Sequence, residues 1–212
     1  MIIGLMGWTG SGKDTVSDYL VQKYGFKKLG FADSLKEAIS SVFDWPLDML
    51  QGSTKESRVW REKIDPWWAK RLGISNLTPR YILQKWGTDV CRRYFNDDIW
   101  IASLERKLRI SVQNIVIDDC RFSNEVAMIR QNKGILWRIT RGKYPIWYET
   151  ALYEIQHGGK EMEEKFPDVH ISEWGWIGEK FEAEIFNNKT KDNLYRQVDY
   201  LMAQNGIAVE NF

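Results

Sequence analysis

The sequence has little cysteine and almost no net charge. Its two cysteines, Cys91 and Cys120, are too few and too far apart for a disulfide framework or a zinc site, which favours a reducing compartment with both thiols buried. The 30 basic residues nearly balance the 29 acidic ones. The chain therefore lacks the overall positive charge expected of a protein that binds duplex nucleic acid, although local basic patches remain compatible with this balance.

Long apolar runs are also missing. The N-terminal run at residues 1–6 has the length of one strand and leads into a glycine-rich segment, so it predicts neither a signal peptide nor a membrane span. We therefore expect a cytoplasmic protein without a membrane partner. At 212 residues, the chain is long enough for one α/β domain with a sizeable core and a small insertion.

Tryptophan, in contrast, is abundant. The chain has eleven tryptophans, several of them beside charged residues. An indole ring offers a flat stacking face and one N–H donor, which suits a nucleobase. Most of these rings are nevertheless expected in the core or in a subunit interface, and the surplus suggests a homodimer.

The segment GWTGSGKDT at residues 7–15 follows the first apolar run directly. It matches G-x-x-x-x-G-K, a loop whose glycines let consecutive N–H groups turn toward a polyphosphate at the start of a helix. Lys13 adds a positive charge that can follow a phosphoryl group. The structural alternative is a glycine-rich turn without a ligand, and the strand before and helix after the loop favour nucleotide binding.

The residue after Lys13 departs from the common pattern. A Ser or Thr is usual at that position, because its hydroxyl binds Mg²⁺, and this chain has Asp14. Asp14 either compensates the helix dipole or takes part in metal binding, and the sequence leaves both open. Thr15 is the alternative source of the hydroxyl.

Apolar runs alternate with helical patterns along the chain. Strands are predicted at residues 1–6, 26–31, 114–119, 135–140 and 183–186, and helices at about 14–24, 33–42, 79–86 and 99–108, after residue 121, and through 194–201. Asp33 or Ser34 is expected to cap the second helix. The pattern predicts a three-layer α/β/α sandwich around a parallel sheet.

Two segments do not fit this alternation. Residues 45–79 are charged and rich in tryptophan, and residues 142–178 show no clean periodicity and suggest an insertion or lid. We therefore expect a single domain over residues 1–212, with a helical region at about 45–110 and a lid or insertion at about 142–178.

Four motifs distinguish this chain from other sequences with the same loop. They are GKDT at 12–15, QKWGTD at 84–89, D-x-R-x-x-x-E at 119–125 and HISE at 170–173. In this order they resemble the phage deoxynucleoside monophosphate kinases, from the loop to the C-terminal helix. The resemblance implies a P-loop kinase fold that transfers the γ-phosphate of ATP to deoxynucleoside monophosphates with Mg²⁺, in the host cytoplasm if phage-encoded. It also implies that residues 45–110 bind the monophosphate.

The resemblance assigns candidate residues on the ATP side. The backbone N–H groups of the loop and the Lys13 side chain would hold the phosphates. Arg141 would stack on adenine or reach a phosphate, His170 and Glu173 would contact ATP or close the lid, and Asn187 would face adenine. The structural alternative for His170 is a structural histidine, and that for Asn187 is a simple turn. The complete ATP-side set is Gly10, Ser11, Gly12, Lys13, Asp14, Thr15, Arg141, His170 and Asn187.

A second set is expected to bind the acceptor. Lys36 and Arg80 are the candidates for its phosphate, with Arg58 as a further one, because Arg can bind phosphate through two parallel hydrogen bonds. Asp89 would accept a hydrogen bond from the deoxynucleoside, and Trp100 would stack on it. Solvated helix charges are the alternative for the basic residues.

The 114–119 strand ends in acids, at the sheet edge where α/β folds bind ligands. Arg121 would reach the transferring phosphate and, with Lys13 and Arg80, forms the predicted catalytic set. Asp119 would hold Mg²⁺ through water, as Thr15 would, or orient Arg121, and Glu125 completes the substrate-side set. The alternative is an ion pair that fastens the strand end.

Two other functions remain open from sequence. One is a P-loop kinase that phosphorylates a modified base in DNA, of the 5-hydroxymethyl-pyrimidine type, with residues 45–79 lining a nucleic-acid channel. The other is a nucleotide-binding module without catalysis. The near-neutral charge argues against a stable nucleic-acid partner, so small-molecule nucleotides are the expected partners.

Overall fold

A computed structural model describes residues 1–207 of the chain. These residues form two compact units. The first unit is built from Met1–Gly30 and the chain from Ser111 onward, and the second is Phe31–Ile110. In the described part of the chain, every helix is too short or too polar to cross a membrane.

The first unit contains a five-stranded parallel sheet. The strands are β1 (Ile2–Met6), β2 (Lys27–Leu29), β3 (Ile115–Ile117), β4 (Ile135–Thr140) and β5 (Ala183–Phe186). Their order in the sheet is β2-β3-β1-β4-β5. Central strands of a parallel sheet are covered on both faces, which explains why β1 and β3 are continuous apolar runs.

The first unit contains five helices among its described residues. They are α1 (Lys13–Tyr24), α8 (Ser123–Gln131), α9 (Tyr148–His157), α10 (Glu161–Lys165) and α11 (Lys191–Gln204), with a 3₁₀ turn at Ile171–Glu173. Ile3 and Leu5 of β1 belong to one core cluster with residues of α1 and α11. Gly4, between them, faces the other way, where a Cβ would lie 2.6 Å from Ile129 of α8. Helices therefore cover both faces, which confirms the predicted three-layer α/β/α fold.

The second unit is helical. Its helices are α2 (Asp33–Phe43), α3 (Leu47–Gln51), α4 (Lys55–Arg61), α5 (Pro66–Leu72), α6 (Pro79–Gln84) and α7 (Ile99–Arg109), with a π-helix at Lys85–Phe95 between α6 and α7. Thr54, Asp65 and Thr78 cap α4, α5 and α6 through side-chain oxygens. A separate apolar cluster, which includes Phe43 and Trp45, holds these helices together.

Several local predictions need correction. Neither Asp33 nor Ser34 caps α2, because the helix begins at Asp33 after Ala32 and has no side-chain cap. Cys120 is buried as expected, but Cys91 is only partly buried. The predicted strands at 26–31 and 114–119 shorten to Lys27–Leu29 and Ile115–Ile117, and the 142–178 segment contains α9 and α10.

Candidate active site

The loop between β1 and α1 depends on glycine conformations. Gly7, Gly10 and Gly12 have φ angles of 145°, 81° and 110°. Residues other than glycine rarely adopt this region of backbone conformation. At Gly7 a Cβ would also lie 2.4 Å from the backbone oxygen of Ile139. The glycines of the motif are therefore required by the backbone.

The start of α1 presents backbone donors without side-chain competition. Gly12 precedes the helix and supplies no cap. Among the described residues, the N–H groups of Gly10, Gly12 and Lys13 have no hydrogen-bond partner. Such a helix start binds anions through its N–H groups and dipole. Asp14 is exposed in the first turn, which is the position for compensating the dipole.

Lys13 lies against its own loop. Its side chain is 7% exposed, and Nζ donates hydrogen bonds to the backbone oxygens of Gly7 at 2.5 Å and Trp8 at 3.1 Å. Desolvation, followed by repulsion from Arg121, lowers the pKa of Lys13 to about 8. The lysine thus holds a poorly hydrated charge beside the loop, although much of that charge is lost above pH 8.

A single carboxylate joins the loop to the end of β3. Glu173 Oε2 accepts from Thr9 Oγ1 at 2.8 Å and from Thr9 N at 3.3 Å, and Oε1 accepts from Arg121 Nη1 at 3.2 Å. Burial opposes ionisation of Glu173, but Arg121, Thr9 and Lys13 outweigh it and lower its pKa. Arg121 Nη1 also donates to the Ser172 oxygen at 3.2 Å. This network brings Arg121 and the phosphate loop together.

Glu125 has a structural environment. It is 2% exposed, and its Oε2 accepts from the backbone N–H groups of Arg121 at 2.6 Å and Phe122 at 3.2 Å. The carboxylate therefore fixes the backbone that carries Arg121. The structural alternative for this strand end was an ion pair that fastens it. Here Glu125 fastens the strand end through hydrogen bonds from backbone N–H groups.

Asp118 is not among the predicted site residues, which include its neighbour Asp119. Its Oδ2 accepts from Ser17 Oγ at 2.8 Å and pairs with Lys28 Nζ at 2.5 Å. Burial opposes the charge on Lys28, but Asp118 outweighs that effect and raises its pKa. The partners lie far apart in sequence, on α1, β2 and the end of β3, so no local pattern could have identified them. Asp119 is partly buried beside this network.

Asn187 contacts the loop itself. Its Nδ2 donates to the Ser11 oxygen at 2.8 Å, and a Cβ on Gly12 would lie 2.4 Å from the same nitrogen. His170 accepts from Ser172 N through Nδ1 at 3.2 Å and caps the 3₁₀ turn, which matches its structural alternative. Arg141 is exposed after β4.

An aromatic cluster attaches the 142–178 segment to the loop. The ring of Trp8 lies 5.4 Å from Tyr144, 6.3 Å from Tyr148 and 6.1 Å from Trp176, between ring centres. Trp8 occupies a variable position of the loop motif and is 7% exposed. Trp8 and the aromatic residues of the 142–178 segment were visible in the sequence, but nothing in the pattern indicated that they would pair.

The predicted acceptor residues all lie in the second unit. Lys36 Nζ donates to Gln51 Oε1 at 2.8 Å, and Arg80 is paired with Glu62. Arg58 donates to the Gly52 oxygen at 2.9 Å and the Ser53 oxygen at 3.1 Å, so it closes the turn before α4.

The two nucleoside candidates also have partners within this unit. Asp89 pairs with Lys85 at 3.1 Å, one helical turn away. Trp100 donates from Nε1 to the Gly87 oxygen at 2.9 Å and packs partly against the apolar cluster. The indole edge of Trp100 is therefore fixed by the protein.

Comparisons with known proteins identify the family. No family model matches the chain. A protein of Acanthamoeba polyphaga mimivirus named "Putative deoxynucleotide monophosphate kinase" is 32% identical over 155 residues, which cover 66% of this chain and 74% of the relative. Two solved structures also match. Shikimate kinase from Aquifex aeolicus vf5 is 10% identical with a TM-score of 0.43, over 97% of this chain and 98% of that one. Dephospho-CoA kinase from Campylobacter jejuni is 16% identical with a TM-score of 0.41, over 96% of each chain. On the mimivirus match, the chain belongs to the deoxynucleotide monophosphate kinase family and is a kinase-type phosphotransferase with a P-loop.

Proposed function

We propose that this protein transfers the γ-phosphate of ATP to deoxynucleoside 5′-monophosphates and releases deoxynucleoside diphosphates and ADP. The observation that carries the proposal is the loop before α1, where left-handed glycines leave N–H groups unbonded beside the buried ammonium of Lys13. Family membership supports the acceptor class, because the relative's name specifies a deoxynucleotide monophosphate.

The reaction needs converging positive charge more than a base. An oxygen of the acceptor phosphate, ionised at neutral pH, attacks the γ-phosphorus while the bond to the β–γ bridging oxygen breaks, and ADP leaves. No proton has to be removed from the acceptor. The loop N–H groups and Lys13 therefore bind the triphosphate and stabilise charge on the leaving oxygens.

Arg121 is the proposed cation at the transferring phosphoryl group. Its side chain is 27% exposed, and Nη1 makes both of its hydrogen bonds. Within the described chain, Nε and Nη2 of Arg121 have no hydrogen-bond partner. These remaining donors can bind a phosphate through two parallel bonds while Nη1 stays fixed.

Thr15 and Asp119 are the proposed residues for Mg²⁺, Asp119 through water. Residues 1–207 contain no cluster of three or more acidic, histidine or cysteine side chains suited to a metal ion. Mg²⁺ in kinases is held mainly by substrate phosphates, water and one or two protein oxygens, so this sparse set fits. When bound, the ion neutralises charge on the phosphate oxygens.

Lys36 and Arg80 are the proposed ligands of the acceptor phosphate. Lys36 donates to the neutral amide of Gln51 and forms a long ion pair with Asp33 at 4.0 Å, and the acid paired with Arg80 has a 56% exposed side chain. Exchanging such partners for a phosphate costs little, because exposed ion pairs are weak. Arg58, Asp89 and Trp100 complete the proposed acceptor set. Arg58 and Asp89 would have to exchange their present bonds for the acceptor, whereas Trp100 would stack through its ring face.

An ADP-release assay with ATP, Mg²⁺ and each of the four common deoxynucleoside monophosphates tests the proposal. We expect acceptor-dependent ADP formation that is lost in Lys13→Met and kept in Lys160→Met, whose side chain is 77% exposed. Double-stranded DNA with 5-hydroxymethyl pyrimidines serves as a competing acceptor. ADP formation that depends on the DNA, or on no acceptor at all, would refute the proposal.

A further inference from the structure

The bridge through Glu173 has a particular geometry. One carboxylate oxygen holds both the backbone and the hydroxyl of Thr9, and the other holds Arg121. Thr9 lies inside the phosphate loop, whereas Arg121 follows β3. Glu173, which lies more than fifty positions after Arg121 in the chain, thus attaches the guanidinium of Arg121 to the phosphate loop.

We propose that Glu173 is a positioning residue for phosphoryl transfer, which holds Arg121 against the phosphate loop so that its free donors face the transferring group. This inference rests on the proposed function. Glu173 acts through Arg121 and Thr9 and need not touch substrate. Without the carboxylate, Nη1 of Arg121 would keep only the Ser172 oxygen, and a single hydrogen bond does not fix the plane of a guanidinium.

A second ion pair of similar exposure provides a control for the pair of Arg121 and Glu173. The side chains of Arg121 and Glu173 are 27% and 18% exposed. Arg138 and Glu184 form a pair of the same chemistry, 15% and 18% exposed at 2.9 Å, between neighbouring strands β4 and β5. That pair joins two strands that already share backbone hydrogen bonds, and Arg138 also contacts Tyr144 and the ring of Phe181. Glu184→Gln is therefore a matched control for Glu173→Gln.

A double-mutant cycle tests whether Glu173 acts through Arg121. We expect Glu173→Gln to lower kcat by about 10- to 100-fold, with KM for ATP changed less than about threefold, because misorientation affects the transition state more than binding. In an Arg121→Ala background the same substitution should lower kcat less than about twofold further. Glu184→Gln should leave kcat unchanged. Additive losses in the cycle, or equal losses in the two glutamine variants, would overturn the inference.

A second readout does not depend on turnover. ¹⁵N relaxation of the arginine Nε–H groups, measured without nucleotide, should show an ordered Arg121 in the wild type and a mobile one in Glu173→Gln. Unchanged order would overturn the positioning role. If the wild type phosphorylates no deoxynucleotide, the proposed function fails, and this measurement still decides whether Glu173 positions Arg121.

Thr9→Val removes the hydroxyl bond between the loop and Glu173, keeps the longer bond from the Thr9 backbone N–H, and leaves both charges in place. Thr9 is exposed, so the substitution is compatible with folding even if Glu173→Gln is not. We expect a kcat loss of about 3- to 10-fold that disappears in the Arg121→Ala background. A loss that persists there would contradict action through Arg121.

Discussion

Replacing Lys13 by methionine should stabilise the protein at pH 7 while abolishing phosphoryl transfer. Lys13 is 7% exposed, and burial is the main cause that lowers its pKa from the usual 10.5 to about 8. The unfolded chain therefore binds this proton more tightly than the folded one. Below pH 8, folding must bury the charge or release the proton, and both are costly.

The magnitude follows from the pKa shift and the two hydrogen bonds of Lys13. At about 1.4 kcal/mol per pKa unit, the lowered pKa corresponds to about 3 kcal/mol of lost stability at pH 7. Methionine removes this cost but leaves the Gly7 and Trp8 oxygens without their donor, at about 1 kcal/mol each. Lys13→Met should therefore be more stable than the wild type at pH 7 by about 1 kcal/mol.

The difference should change sign with pH. Wild-type stability gains from deprotonation of Lys13 between pH 8 and 10.5, since the unfolded chain binds more protons in that range. At pH 10.5 mainly the lost hydrogen bonds remain, and the variant should be less stable by about 1 to 2 kcal/mol. Urea denaturation at both pH values, with Lys160→Met as control, measures this. A variant that is less stable by the same amount at pH 7 and pH 10.5 would refute the reasoning.

Three further predictions concern Lys13, the loop glycines and Asp118. The kcat/KM for ATP should fall about tenfold per pH unit above pH 8 as Lys13 loses its proton, and a flat profile to pH 9.5 would contradict this. Gly7→Ala should lower the free energy of unfolding by more than about 2 kcal/mol, because the new Cβ meets the Ile139 oxygen. Gly10→Ala, whose Cβ meets open space, should lower it by about 1 kcal/mol. Urea denaturation of the two variants measures the difference. Asp118→Asn should cost about 1 to 2 kcal/mol in thermal unfolding, and no loss would show that its bonds to α1 and β2 are unimportant.

Local sequence patterns predict those elements whose structure depends on neighbouring residues. β4 and β5 lie at the predicted residues 135–140 and 183–186, because short apolar runs of the right length bounded by polar residues have few alternatives in an α/β chain. Gly25 ends α1 in a left-handed conformation, as its position after a helical pattern predicts. The loop glycines likewise have positive φ angles at the positions where the motif contains glycine.

Contacts between distant segments could not be predicted. Which of the neighbouring acids Asp118 and Asp119 meets Lys28 depends on how β2 and β3 pair. The amide of Asn187 holds the Ser11 oxygen of the loop, a bond that spacing alone does not reveal. Asp33 failed as a cap because the backbone starts the helix one residue earlier than the local pattern suggests.

The most direct test of the central claim is transfer of label from [γ-³²P]ATP with the wild type and Lys13→Met side by side. We expect the label in deoxynucleoside diphosphate with at least one of the four monophosphates, and none with the folded variant. Label that appears only as free phosphate, or in the diphosphate equally with both proteins, would contradict a phosphotransferase built on the Lys13 loop.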